Sequence, residues 1–333
     1  EAGLDPIRDV PKTWDELFEV GKKLTQINDL DSESSVYALN IGSDSYSSWT
    51  SRPFYLSMNS MALSFDNKEK RWTSTFNDPG AVEATDYYLS LLQKPWKDNN
   101  SKIRYGVGHK GDGWVKFHQG KLAIVFLTSS DLLMNSNPWV QSKTYDEIGI
   151  AKIPSSPLGK SVSELYGMNL GISSAIKDPA VIDACWKFIR FMGSDEAKKI
   201  AVDTYIENGF GRYILPDILE KYGYPEFIEK VPKDWAEAVT HSIKNHELEP
   251  YGKNTQHIYK YMDIPISKGY MEEIGKNPNK SERIAKLQIF HDQAVKKANE
   301  KMIGRIPASE VGKRYPVAVV LSLMIFLLYG ILF

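Results

Sequence analysis

From Pro316 to Phe333 the chain carries no charged side chain: PVAVVLSLMIFLLYGILF. Eighteen residues wound as an α-helix at about 1.5 Å each reach roughly 27 Å, close to the hydrocarbon thickness of a bilayer. A buried core helix is the alternative reading, but such a helix normally keeps some polar face. The run therefore predicts a transmembrane helix over 315–333. A linker at 304–314, punctuated by Pro307 and Gly312, leads into it. Residues 1–303 must then build their own core in water.

A chain of 333 residues is long enough for two lobes, because single cores stop growing near this size. Hydrophobic residues make up 42% and charged residues 25%, the ordinary balance of a globular protein. The formal net charge is -1, and no stretch concentrates Lys and Arg among stacking aromatics, which excludes nucleic acid as the main partner. The single cysteine, Cys185, rules out an intrachain disulfide. It lies in the apolar helical stretch Ala184-Cys-Trp-Lys-Phe-Ile189, where a free thiol is expected to pack as a small buried hydrophobe. Glu1 to Pro6 is polar and turn-like, without the apolar region of a secretion signal, so it reads as the start left after signal removal or as that of a fragment.

Along the chain, strand and helix signals alternate, which favours α/β layers. Thr13-Trp-Asp-Glu16 is a capping box opening a helix whose inner face holds Trp14, Leu17, Gly21 and Leu24. Val36–Ile41 reads as a strand, 66–69 as a turn, and 72–76 as a second strand. Asp78-Pro79 caps a helix with Ala81, Ala84, Tyr88, Leu91 and Leu92 on its buried stripe. A short helix near 113–119 stops at Gly120, and Leu122–Leu127 reads as a buried strand. Strands are also expected at Ile148–Ile153 and Leu170–Ser173. Asp178-Pro179 repeats the cap-plus-proline start and leads to Met192, with Trp186 on its apolar stripe. Ser194-Asp-Glu starts another helix directly, and Ile284, Leu287, Ala294, Ala298 and Met302 mark a long amphipathic helix near the end of the folded part.

Four of these segments, in this order, resemble the bacterial family 1 extracellular solute-binding proteins of ABC importers, the maltose-binding-protein-like group. They are EAGLDPIRDVPKTWDELFEVGKKLT, FNDPGAVEATDYYLSLL, WVKFHQGKLAIVFLTSS with its Phe-x-x-Gly-Lys-x-Ala signature, and YGMNLGISSAIKDPAVIDACWKFIRFMGSDEAKK. The likeness runs from Glu1 to about Met302. It implies an α/β, two-lobe periplasmic-binding-protein-like fold, with 1–303 as a solute-binding domain that opens after much of the family's first lobe. The implied function is extracytoplasmic binding of a carbohydrate, delivered by hinge closure to an ABC transporter permease without chemistry. The location it implies is the extracytoplasmic face of the bacterial membrane, with the C-terminal helix as anchor. Lys313 and Arg314 ahead of the span would by the positive-inside tendency favour the opposite orientation, which a large translocated domain can override. A sensor domain of a membrane receptor is the alternative.

The resemblance also implies site residues. Tyr46 and Trp49 follow a strand where the family carries ligand-facing aromatics, and an aromatic face suits the C–H face of a sugar; core packing is the competing reading. Ser129, Ser130 and Asp131 stand where the family commonly places a stacking Trp, and could instead hydrogen-bond sugar hydroxyls; an ordinary polar loop is the competing reading. Asn169 precedes the return strand, Arg212 lies in a loop that approaches ligand, and Tyr261 and Asp263 belong to a late helix of the site. Gly106-Val-Gly-His-Lys-Gly111 fits Gly-x-Gly-x-x-Gly, but the polar run before it is no buried strand, so a dinucleotide site is rejected in favour of a surface loop. The six histidines show no metal spacing, and no Gly-x-Ser-x-Gly elbow appears. No metal, cofactor or catalytic residue is expected. A glycosidase, the enzyme alternative, would have to work through Asp131.

Overall fold

The computed structural model describes residues 2–42, 45–111, 113–126, 148–167 and 169–304, with 311–312, 315–316, 319–322 and 324 beyond them. Helix α1 (Trp14–Leu24) begins as its cap requires: Thr13 is extended, and its hydroxyl accepts from the Glu16 N–H at 3.2 Å. Glu16 reaches back one residue further than a capping box does, accepting from the Lys12 N–H at 2.7 Å. Acidic residues in the first turn and Lys22 and Lys23 in the last suit the helix dipole. Its inner face buries Trp14, Leu17, Phe18 and Gly21. Gly21 is needed there, because a Cβ would sit 2.9 Å from the Val107 side chain.

That face covers a parallel three-stranded sheet. Strand β1 (Tyr37–Ile41) is central. Short helices α2 (Ser45–Thr50) and α3 (Arg52–Ser57) follow it, then the antiparallel hairpin β2 (Leu63–Asp66) and β3 (Arg71–Ser74). The Asp66 carboxylate closes the hairpin turn by accepting from the N–H groups of Lys68 and Glu69. Helix α4 (Pro79–Gln93) starts on the Asp78 cap, which accepts from the Ala81 N–H at 3.1 Å. The small hairpin β4 (Pro95–Lys97) and β5 (Ile103–Tyr105) leads to β6 (Gly108–Lys110), which pairs with β1 through Leu39↔Gly108 to Ile41↔Lys110. After helix α5 (Gly113–His118), β7 (Leu122–Ile124) joins the other edge of β1.

The glycine-rich run is therefore not the surface loop expected of it. Gly106 turns with φ +63°, where a Cβ would lie 2.2 Å from the Leu92 carbonyl carbon, and Val107 is buried between α1 and β1. The glycines serve close backbone approach, and the strand pattern was hidden because Gly108 within β6 and Gly106 just before it have no side chain. The helix after it has only six residues, and the strand before it is exposed at both ends, so a dinucleotide cradle is absent here.

Two expected strands do not form. Residues 148–153 are irregular, and the backbone just beyond them bonds to the start of α1, with Trp14 N–H to Ser155 O at 3.0 Å and Ser155 N–H to Lys12 O at 2.8 Å. Residues 170–173 are irregular too, with Leu170 exposed; an apolar run without a neighbouring strand has no ladder to join. The strand that forms is β8 (Ser163–Leu165).

Helices α6 (Pro179–Met192), α7 (Asp195–Glu207), α8 (Pro216–Tyr222) and α9 (Lys233–Lys244) come next, and β9 (His246–Leu248) pairs in parallel with β8. Helices α10 (Ile258–Met271) and α11 (Lys280–Ala298) complete the first core, which joins α1, β1, α3 and α4 to these two late helices. A second, smaller core gathers Val202, Ile214, Leu219 and Val231. Helix α6 has its Asp178 cap, with the Ala180 N–H donating at 2.8 Å, yet none of its residues is buried. Trp186 is 52% exposed and Phe188 57%, and Cys185 is half-buried, so the core roles expected of Trp186 and Cys185 are not observed. Caps and propensity make the helix; burial needs a partner surface, and no described residue supplies one.

Among the described residues no helix is long and apolar enough to cross a membrane. The expected span at 315–333 lies largely outside them.

Candidate ligand site

Tyr259 and Asp263 stand one helical turn apart on α10 and so share a face. With Gln256, His257 and Lys260 they line an open depression of about 500 Å³. The Asp263 carboxylate is held on both oxygens: Ser47 of α2 donates to Oδ1, and Ser267 donates to Oδ2 at 2.7 Å. Ser47 thereby ties α2 to α10. Two residues further on, Trp49 is half-buried, and its ring meets that of Tyr166 at 5.7 Å between centroids, tilted by 59°. Tyr166 directly follows β8, so this pair joins the end of β8 to α2.

Beneath the depression lies a buried ion pair. Arg52 opens α3 with Pro53 behind it, and its Nε donates to Glu164 Oε1 at 2.9 Å. The two side chains are 0% and 7% exposed. The Tyr259 hydroxyl donates to the same Glu164 oxygen at 3.1 Å. Burial pushes the Glu164 carboxyl above the ordinary carboxylate range, and Arg52 and the Tyr259 hydroxyl pull the other way. The Tyr259 phenol is raised as well, by burial first and by the neighbouring Glu164 charge second. Behind this layer, Thr50 and Tyr88 share a hydrogen bond of 2.6 Å, and burial raises the Tyr88 phenol. The arrangement offers aromatic faces and fixed oxygen acceptors beside an open recess. Among the described residues no three His, Cys, Asp or Glu side chains gather as a metal site would need.

Of the residues singled out in the sequence, Asp263 lines the depression, and Trp49 lies on α2, the helix that Ser47 ties to Asp263. Tyr46 is on α2 one turn before Trp49, and its side chain lies outside the described set, as do Ser129, Ser130 and Asp131. Tyr261 packs against the first core instead of lining the depression. On a helix it falls roughly opposite Tyr259 and Asp263, whose i, i+4 spacing puts those two on one face. Asn169 is exposed, its amide donating to Gly167 O at 3.3 Å. Arg212 lays its guanidinium over the Trp235 ring at 4.8 Å. Tyr166, Glu164 and Arg52 carried no site signal in the sequence, because their roles depend on a crossing strand that no pattern announced.

The sequence matches the bacterial extracellular solute-binding protein family over residues 1–199, well over half of the chain, and the protein belongs to that family. Solved structures share the fold. An ABC transporter solute-binding protein from Thermotoga lettingae, bound with α-D-tagatose, aligns at 16% identity and a TM-score of 0.59, covering 88% of this chain and 67% of that one. Maltose-bound MalE3 of T. maritima aligns at 16% identity and a TM-score of 0.54, covering 85% and 66%. The cyclic α-maltosyl-1,6-maltose binding protein of Arthrobacter globiformis aligns at 18% identity and a TM-score of 0.52, covering 89% and 66%. This chain thus spans about two thirds of the length of those structures. The fold class is that of the periplasmic binding proteins.

Proposed function

We propose that the protein binds a mono- or oligosaccharide outside the cytoplasm and hands it to an ABC transporter permease. The observation that carries this reading is the open depression lined by Tyr259 and Asp263 of α10, with Trp49, whose ring pairs with that of Tyr166, on α2, the helix that Ser47 ties to Asp263. Sugars present apolar C–H faces and paired hydroxyls, and an aromatic ring beside a fixed carboxylate answers both. The structural neighbours whose ligands are α-D-tagatose and maltose support a carbohydrate as the class. Ligand would favour a closed arrangement by touching parts of the chain on both sides of the crossing strands, and that closed form is what a permease would recognise. Ser129, Ser130, Asp131, Asn169 and Arg212 are the residues proposed to complete the site on closure. The apolar run after Tyr315 is proposed to anchor the protein at the extracytoplasmic face of the membrane.

The test is a thermal-shift and calorimetric screen of the full chain against mono- and oligosaccharides, repeated with Trp49→Ala. At least one sugar is expected to raise the melting temperature. Trp49→Ala is expected to lower affinity for it by one to two decades, about 1.4–3 kcal/mol, with little change in unliganded stability. No response to any sugar, or a large loss of stability with unchanged affinity, would overturn the reading.

A further inference from the structure

Glu164 is the middle residue of β8, the strand on which the chain leaves the first core for the second. Strand β9, which pairs with it in parallel, lies in the sequence between the helices of the second core and α10. The groups facing the Glu164 carboxylate come from three places: Arg52 on α3, Tyr259 on α10, and the charge of Glu249 just after β9. Arg52 is buried, and among the described residues its Nη1 and Nη2 meet no acceptor, so its bond to Glu164 is the described contact that orients the guanidinium. Two residues along an extended chain point to the same side, which fits Glu164 meeting α3 while Tyr166 meets Trp49 on α2. A buried ion pair adds little net stability compared with apolar side chains of the same volume. What the guanidinium–carboxylate pair adds is direction, because its planar donors accept a partner in few orientations.

We propose that Glu164 is a positioning residue for the ligand site: pinned between Arg52 and Tyr259, it fixes the crossing strand so that Tyr166 meets Trp49 and the two rings form one aromatic corner. This rests on the carbohydrate reading above, but its test needs no ligand. Hydrogen–deuterium exchange of the full chain at segments 163–167 and 246–249 reports whether the crossing is held. Glu164→Gln is expected to speed exchange there at least tenfold while α4 is unaffected. Tyr259→Phe, which removes a single donor, is expected to give a smaller change of the same sign. The paired replacement Arg52→Met with Glu164→Leu separates positioning from cohesion. It is expected to restore the melting temperature to near that of the parent but not the protection of 163–167. Recovery of both by the paired replacement, or unchanged exchange in Glu164→Gln and Tyr259→Phe, would overturn the proposal. If the exchange results hold while no sugar binds, the positioning role stands and the carbohydrate reading alone fails.

Discussion

His291 is buried in the first core and held on both ring nitrogens. Nδ1 lies 2.6 Å from the Phe76 carbonyl, which can only accept, so Nδ1 carries the proton and Nε2 accepts from the Thr85 hydroxyl at 2.9 Å. The Tyr55 hydroxyl then donates to Thr85, extending the chain of bonds. Burial pushes the His291 pKa down to about 4. The unfolded chain takes up this proton near the ordinary 6.5, the native state only near 4, so the stabilisation is complete above the higher value and is lost as pH falls between the two. We expect urea unfolding at pH 5 to give a stability about 2 kcal/mol below that at pH 7.5, and His291→Gln to flatten that slope. An unchanged slope in the variant would assign the pH dependence elsewhere. At this scale Trp49 stood out locally, as a Trp among small polar residues, whereas Asp263 was pointed to only by the family resemblance. Glu164 and Arg52 were not legible: a charge marks itself as buried only when the segment bringing its partner from 112 positions away is in place.

Helices α4 and α11 are joined by Asp86 and Arg283, whose two bonds measure 2.6 and 2.9 Å, with both side chains mostly buried. Removing one partner strands the other charge, so Arg283→Met is expected to cost about 3–5 kcal/mol, and Asp86→Leu in addition to recover most of it. Chemical denaturation of the single and paired variants checks both statements, and failure of the second change to recover stability would show that the pair is net stabilising. Elements whose signals are local were legible at this scale. The caps at Thr13, Asp78, Asp178 and Ser194 each start the helix they announce. Of the three-residue strands only β7 was legible, within the apolar run from Leu122; the others carry no periodicity and are defined by what runs beside them. Helix α6 shows the limit from the other side: its apolar stripe is real, and its burial is not written in its own residues.

The two cores are unequal. The first binds α1 to α4 with α10 and α11, whereas the second holds four buried apolar side chains under shorter helices. Regions with few buried contacts open first, so native-state hydrogen exchange is expected to show α6 to α9 opening at lower denaturant than α4 and α11. A single opening transition across all helices would contradict that division. For the proposed anchor, removal of residues 315–333 is expected to shift the protein from the membrane fraction to the soluble one, as fractionation would read, and unchanged partition would refute it. The α/β class and the presence of two lobes were expected from the sequence, as were helices α1, α4, α5, α6, α7 and α11; α2, α3, α8 and α9 were not, nor was the make-up of each core, because it is set by which distant helices return to the first sheet. That return also sets a clock during synthesis. The half of the first core ending at Phe126 leaves the ribosome long before α11 exists, and at 5–20 residues per second the wait is roughly 10–30 s. Throughout it Asp86 and Thr85 face no Arg283 or His291, so the nascent chain spends that interval with its central helix uncovered and open to chaperones.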